Sequence, residues 1–111
     1  MQTKQSGRLI VIVAYKPKPG KEEELRALTR EHVPLLRSEG LATDRPVVVA
    51  QAADGTLIEV FEWEAGGVEK AHNNPVILKL WERYWEACSV TPLNTLAEAE
   101  SPFAGFTSLE L

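Results

Sequence analysis

Residues 9–15 read LIVIVAY, a short β-branched apolar run bounded by Gly7 and by Pro17 and Pro19. The pattern predicts a strand buried on both faces. Leu9, Val11, Val13 and Tyr15 share one face; Ile10, Ile12 and Ala14 share the other. A Pro-Gly turn follows, and over residues 21–38 the period changes to that of a helix. Leu25, Leu28, His32, Leu35 and Leu36 then fall on one side. Glu22, Glu23 and Glu24 at its start and Arg37 near its end suit the helix dipole, and Gly40 suits a C-terminal cap. Pro34 has no N–H to donate and is expected to kink this helix or end it near Val33.

Residues 46–52 (PVVVAQA) predict a second strand, and Asp54-Gly55 a hairpin turn. Leu57–Trp63 (LIEVFEW) predicts a third strand, with Leu57, Glu59, Phe61 and Trp63 on one face and Ile58, Val60 and Glu62 on the other. Gly66-Gly67 breaks the chain before a short helix over residues 68–73. Asn74-Pro75 opens another helix over 75–88, whose stripe carries Ile77, Leu80, Trp81, Tyr84 and Cys88, with Trp85 beside it. A short helix over 93–99 and a final strand over 106–111 complete the reading.

The order is β-α-β-β-α-β with one extra short helix. This is an α+β, ferredoxin-like plan: one domain over residues 1–111 with a four-stranded antiparallel sheet. Two helices cover one face of such a sheet, yet the strands are apolar on both faces. The second face therefore needs a cover. A second copy of the chain, giving a homodimer, is the favoured one; the C-terminal segment alone is the alternative.

Charge and composition narrow the partners. The chain carries 12 Lys and Arg against 16 Asp and Glu, a net −4, which disfavours a nucleic-acid backbone as partner. Its one basic cluster, Lys16, Lys18 and Lys21, sits in a Pro-rich turn and reads as a solvated loop. The longest apolar run is far short of the ~20 residues that span a bilayer, so no membrane partner is expected. Residues 1–8 are polar and lack a signal-peptide core. With a single cysteine, Cys88, this predicts a cytoplasmic protein without a disulfide.

Few residues can carry chemistry. Glu59 stands out as a carboxylate in the middle of an apolar strand. If it faces the interior of a barrel its pKa would rise and it could act as a general base; an edge position or a salt bridge to Lys or Arg is the alternative. Glu62, near the strand end, reads as solvated. His32 lies on the apolar side of the first helix, either as a hydrogen-bonded core residue or, if Pro34 opens a cleft, as a catalyst. His72 lies in the loop-like AHNNP, as a surface or capping residue or as part of a pocket. Tyr15, Phe61, Trp63, Trp81 and Trp85 supply aromatic walls suited to a flat, apolar ligand, or simply to core packing. Cys88 reads as a packed thiol. The histidines lack metal-ligand spacing and no Gly-rich phosphate loop is present, so neither metal nor cofactor is expected.

AYKPKPGKEEEL after the first strand, VFEW closing the third, and AHNNP beyond it resemble the corresponding segments of the antibiotic-biosynthesis-monooxygenase-like domains. The likeness runs over residues 9–85. It implies a dimeric α+β barrel and places the His72 segment at the barrel mouth. Members of that group differ in function, and one branch degrades haem. In that branch an Asn, a Trp and a haem-ligating His stand where this chain has Ile12 or Val13, His72 and Glu82, so haem degradation is disfavoured. The resemblance implies instead a cofactor-independent monooxygenase acting on a phenolic or quinol-like substrate. Glu59 or His72 would deprotonate that substrate and the tryptophans would hold its ring. A non-catalytic ligand-binding or stress-response module is the alternative, and a purely structural dimer with a packed barrel is a third.

Overall fold

The computed structural model describes residues 6–111, so the polar start read at residues 1–8 lies mostly outside it. The elements are β1 (Leu9–Pro17), α1 (Glu22–Ser38), β2 (Val48–Gln51), β3 (Leu57–Trp63), α2 (Gly67–Ala71), α3 (Pro75–Ala87), β4 (Cys88–Thr91) and β5 (Thr107–Ser108). The chain is α+β, with one antiparallel five-stranded sheet in the order β4-β1-β3-β2-β5. β1 and β3 pair along their length, from Leu9 opposite Trp63 to Tyr15 opposite Leu57. That register puts Val13 across from Glu59, in the middle of the sheet.

Helices α1 and α3 cover one sheet face. α1 buries Leu25, Leu28, Thr29, His32, Val33 and Leu36. α3 is capped by Asn74, whose side-chain oxygen accepts from the N–H groups of Val76 (2.9 Å) and Ile77 (3.3 Å), with Pro75 in its first turn. It buries Ile77, Leu80, Tyr84 and Ala87. Helix α1 does not end near Val33 but runs through Pro34 to Ser38. Pro34 is exposed, and Arg30, whose carbonyl it deprives of a donor, is exposed too. Water can serve that carbonyl, so the helix tolerates the proline.

The last strands depart most from the sequence reading. The fourth strand starts at Cys88, directly from α3, and not near residue 106. Four residues are too short for a hydrophobic period to show. The predicted helix over 93–99 is two 3₁₀ turns, Leu93–Thr95 and Ala97–Glu100. The predicted last strand shrinks to β5, which pairs with β2 on the opposite edge of the sheet.

Between β4 and β5 the chain crosses the second sheet face. Leu96 packs there with Ala14, Ala50, Ala52 and Ile58, supported by Leu93 and Phe106. This strap covers only half of the face. Ile10, Ile12 and Val48 remain about half exposed, at 53, 53 and 55%. Around them stand Arg8, hydrogen-bonded to Glu64 at 3.2 Å, and Arg45, 3.3 Å from Glu62. Glu62 is thus not simply solvated. It accepts from the Thr43 hydroxyl at 2.9 Å, and that bond, with Arg45 second, holds its carboxyl below the usual range.

Gly67 is dictated by close approach. A Cβ there would stand 2.5 Å from the Leu41 carbonyl oxygen and 3.2 Å from the Trp63 ring. The start of α2 can lie against Trp63 only without a side chain. No helix of the described residues is long and apolar enough to cross a membrane.

Candidate functional site

Period-two alternation aims Tyr15 of β1 and Glu59 of β3 at the helices, and the α1 stripe aims His32 back at the sheet. Glu59 has no exposed surface. β3 is the central strand, so Glu59 is not at an edge, and among the described residues it has no Lys or Arg partner. Its Oε1 accepts from the Tyr15 hydroxyl at 2.8 Å and lies 2.9 Å from His32 Nδ1. On the far side of the imidazole, the Trp81 indole N–H donates to His32 Nε2 at 3.2 Å.

These contacts fix the tautomer. An indole nitrogen can only donate, so Nε2 accepts and Nδ1 carries the ring proton. His32 is therefore a neutral imidazole donating Nδ1–H to the Glu59 carboxyl group. Its ring meets Phe61 and Tyr84 edge-on, with centroids 5.5 and 5.3 Å away, and this packing leaves it little room to rotate. Tyr84 stacks on Tyr15 at 4.9 Å and donates to Thr29 Oγ1 at 3.3 Å. Thr29 in turn donates to the Leu25 carbonyl at 2.9 Å. Every polar atom in this group has a partner except Glu59 Oε2, which is buried without one.

A cavity of about 260 Å³ opens beside the group. Its walls include His32, His72 and the five aromatic residues read from the sequence, Tyr15, Phe61, Trp63, Trp81 and Trp85. Val11, Val13, Tyr84 and Val90 complete it. Val11 and Val13 were legible as the neighbours of Tyr15 on the same strand face. Tyr84 was legible as a stripe residue of α3, but nothing in its spacing marked it as a wall. Glu59 is not part of the lining: it stands behind His32 and reaches the cavity only through Tyr15 and the imidazole. His72 is exposed at the mouth, edge-on to Trp81 at 5.0 Å, and Trp85 beside it is 56% exposed. A wider surface groove of about 440 Å³ lies among Arg8, Asp44, Arg45, Glu62 and Glu64. Its charged walls lack the apolar enclosure of a small-molecule site.

Burial, and then the Glu59 charge, raises the pKa values of Tyr15 and Tyr84 above the ordinary tyrosine value of 10.0. Burial pushes the Cys88 thiol up to about 11 from 9.0. All three groups hold their protons more tightly folded than unfolded, so unfolding releases protons once the pH passes the unfolded values. Their contribution is complete below about pH 9. It is lost as the pH rises, from Cys88 first and the tyrosines above pH 10. Thermal midpoints between pH 7 and 11 should therefore be level at first and then fall; an unchanged midpoint at pH 11 would contradict this. Cys88 is 2% exposed, and native protein at pH 8 should react with a thiol reagent at least a hundredfold slower than unfolded chain.

No protein-family model, curated protein or solved structure matches this chain.

Proposed function

We propose that the chain is a cofactor-independent monooxygenase for a flat phenolic or quinol-like molecule, with His32 as the base. One observation carries this reading. His32 lines an apolar cavity through a ring whose Nδ1–H is anchored on the buried Glu59, so that Nε2 carries the free-base lone pair. Glu59, the base expected from the sequence, then acts one step back by stabilising the imidazolium formed when Nε2 takes the substrate's hydroxyl proton.

The resulting phenolate is the electron donor. Dioxygen adds at a ring carbon bearing hydrogen, one oxygen atom becomes the new carbonyl, and the other leaves as water with the two hydrogens lost from the substrate. The four electrons that reduce dioxygen come from substrate, so the balance needs no external reductant. The aromatic walls hold the ring and exclude bulk water while dioxygen adds.

In a panel of one- and two-ring phenols followed with an oxygen electrode, His32→Asn should lower kcat by a factor of 10² or more, the usual worth of a general base. His72→Ala, at the mouth, should raise KM with kcat nearly unchanged. Oxygen uptake that survives His32→Asn would overturn the assignment. The engagement of Nε2 by Trp81 favours a second reading, a non-catalytic binding module. That reading predicts phenol binding with no oxygen uptake by the unsubstituted protein.

The same proposal takes the chain as a ferredoxin-like half of a dimeric α+β barrel. The uncovered stripe of Ile10, Ile12 and Val48 supports this, and so does its rim. Arg8 and Arg45 stand beside Glu62 and Glu64, a mixture of signs that can complement itself across a two-fold axis.

A further inference from the structure

The hydrogen bonds around His32 set which ligand groups can reach it. His32 Nε2 has one lone pair, and the Trp81 indole N–H occupies it at 3.2 Å. Tyr15 has one hydroxyl proton, given to Glu59. Tyr84 has one, given to Thr29, whose own proton goes to the Leu25 carbonyl. Every donor in this group, the Trp81 indole N–H included, is thus already used, and what His32 Nε2 and the two tyrosine hydroxyls have left to offer is acceptor capacity.

We infer that Trp81 is an internal surrogate for the ligand's hydroxyl, and that the His32 end of the cavity selects ligands able to donate a hydrogen bond in its place. The inference rests on the proposed role of His32 as the group that meets the ligand hydroxyl. A ligand drawn against Nε2 must displace the indole N–H. A hydroxyl restores the lost bond. A carbonyl or ether oxygen cannot, and it sets its own lone pairs against those of Nε2 and the tyrosines. Sites built to bond a substrate hydroxyl discriminate strongly against analogues that lack one.

Selection by donor is also selection by oxidation state. The hydroxylated, reduced ring is held, and the quinone made from it has lost the donor. Trp81 then regains His32 and the product leaves. Trp81 is accordingly a specificity-determining residue: part of the wall, and a competitor for the atom the substrate needs.

The test compares 2-naphthol, 2-methoxynaphthalene and 1,4-naphthoquinone as binding probes, by calorimetry under anaerobic conditions, so that no turnover is involved. The unsubstituted protein should bind 2-naphthol at least tenfold more tightly than the ether or the quinone. The indole proton resonance of Trp81, assigned by its loss in Trp81→Phe, should shift with 2-naphthol and stay in place with the ether. Trp81→Phe keeps a ring in the wall and removes the competing donor. It should tighten 2-naphthol binding several-fold and leave ether binding unchanged, whereas a merely structural tryptophan would weaken both on substitution. Equal affinities for naphthol and ether, or a Trp81→Phe variant that weakens both alike, would overturn the inference while the cavity stands as a ligand site. Binding of none of the three probes would overturn the ligand-site reading and this inference with it.

Discussion

Glu59→Leu is expected to lower the thermal midpoint by more than any single change among the residues that line the cavity. Leucine fills a similar volume but accepts no hydrogen bond. The Tyr15 hydroxyl and His32 Nδ1–H would then be buried without partners. Each orphaned donor costs about 1–3 kcal/mol, partly offset by removal of the unpartnered Oε2, so a net loss of about 2–4 kcal/mol follows. For a domain of this size about 4 °C accompanies each kcal/mol, so the midpoint should fall by roughly 8–16 °C. Glu59→Gln keeps an acceptor at the Oε1 position and puts an amide nitrogen where Oε2 now has no partner. It should lose about half as much. The double variant Glu59→Leu/His32→Leu should be less destabilised than the sum of its parts, because removing His32 removes one orphan that Glu59→Leu creates. Circular-dichroism melts of five proteins, the parent, Glu59→Leu, Glu59→Gln, His32→Leu and the double variant, decide the matter. A Glu59→Leu variant as stable as the parent would mean that Tyr15 and His32 find other partners.

That carboxylate also shows what the sequence could carry. Its face, its neighbours Leu57, Phe61 and Trp63, and its oddity on an apolar strand all follow from period-two alternation. The aromatic wall was legible in the same way, since Tyr15 and Phe61 share the inward faces of their strands while Trp81 lies on the inward stripe of its helix. What alternation cannot carry is register across elements. Glu59 meets Tyr15 and His32 only because β1 pairs with β3 so that Val13 faces Glu59, and because α1 crosses above them. These are long-range facts that no local window contains. The bond from Trp81 to His32 depends on how two helices pack, and helical spacing alone leaves that rotation open. The fourth strand was missed for a different reason: β4 is four residues long, and its position is fixed by pairing with the second half of β1.

The second large effect concerns the uncovered half of the sheet. Ile12 lies at its centre, on β1 opposite Val60, which pairs in turn with Val48. If a second copy covers this stripe, the unsubstituted protein should run at twice the chain mass by light scattering and in native mass spectrometry. Ile12→Lys would then place an ammonium in the middle of the interface. Burying it unpaired costs several kcal/mol, and each 1.4 kcal/mol is about tenfold, so the dissociation constant should rise at least roughly a hundredfold. The variant should run as a folded monomer. Residue 12 is 53% exposed in the single chain, and its side chain faces away from α1 and α3, so the charge does not enter the core. The His32–Glu59 group lies on the other side of the sheet and should keep its geometry, which the Trp81 indole resonance can report. A parent protein that is already monomeric at tens of micromolar would refute the dimer. The exposed isoleucines would then be solvent-facing residues of a single chain, and the C-terminal strap would be the only cover of the second face among the described residues.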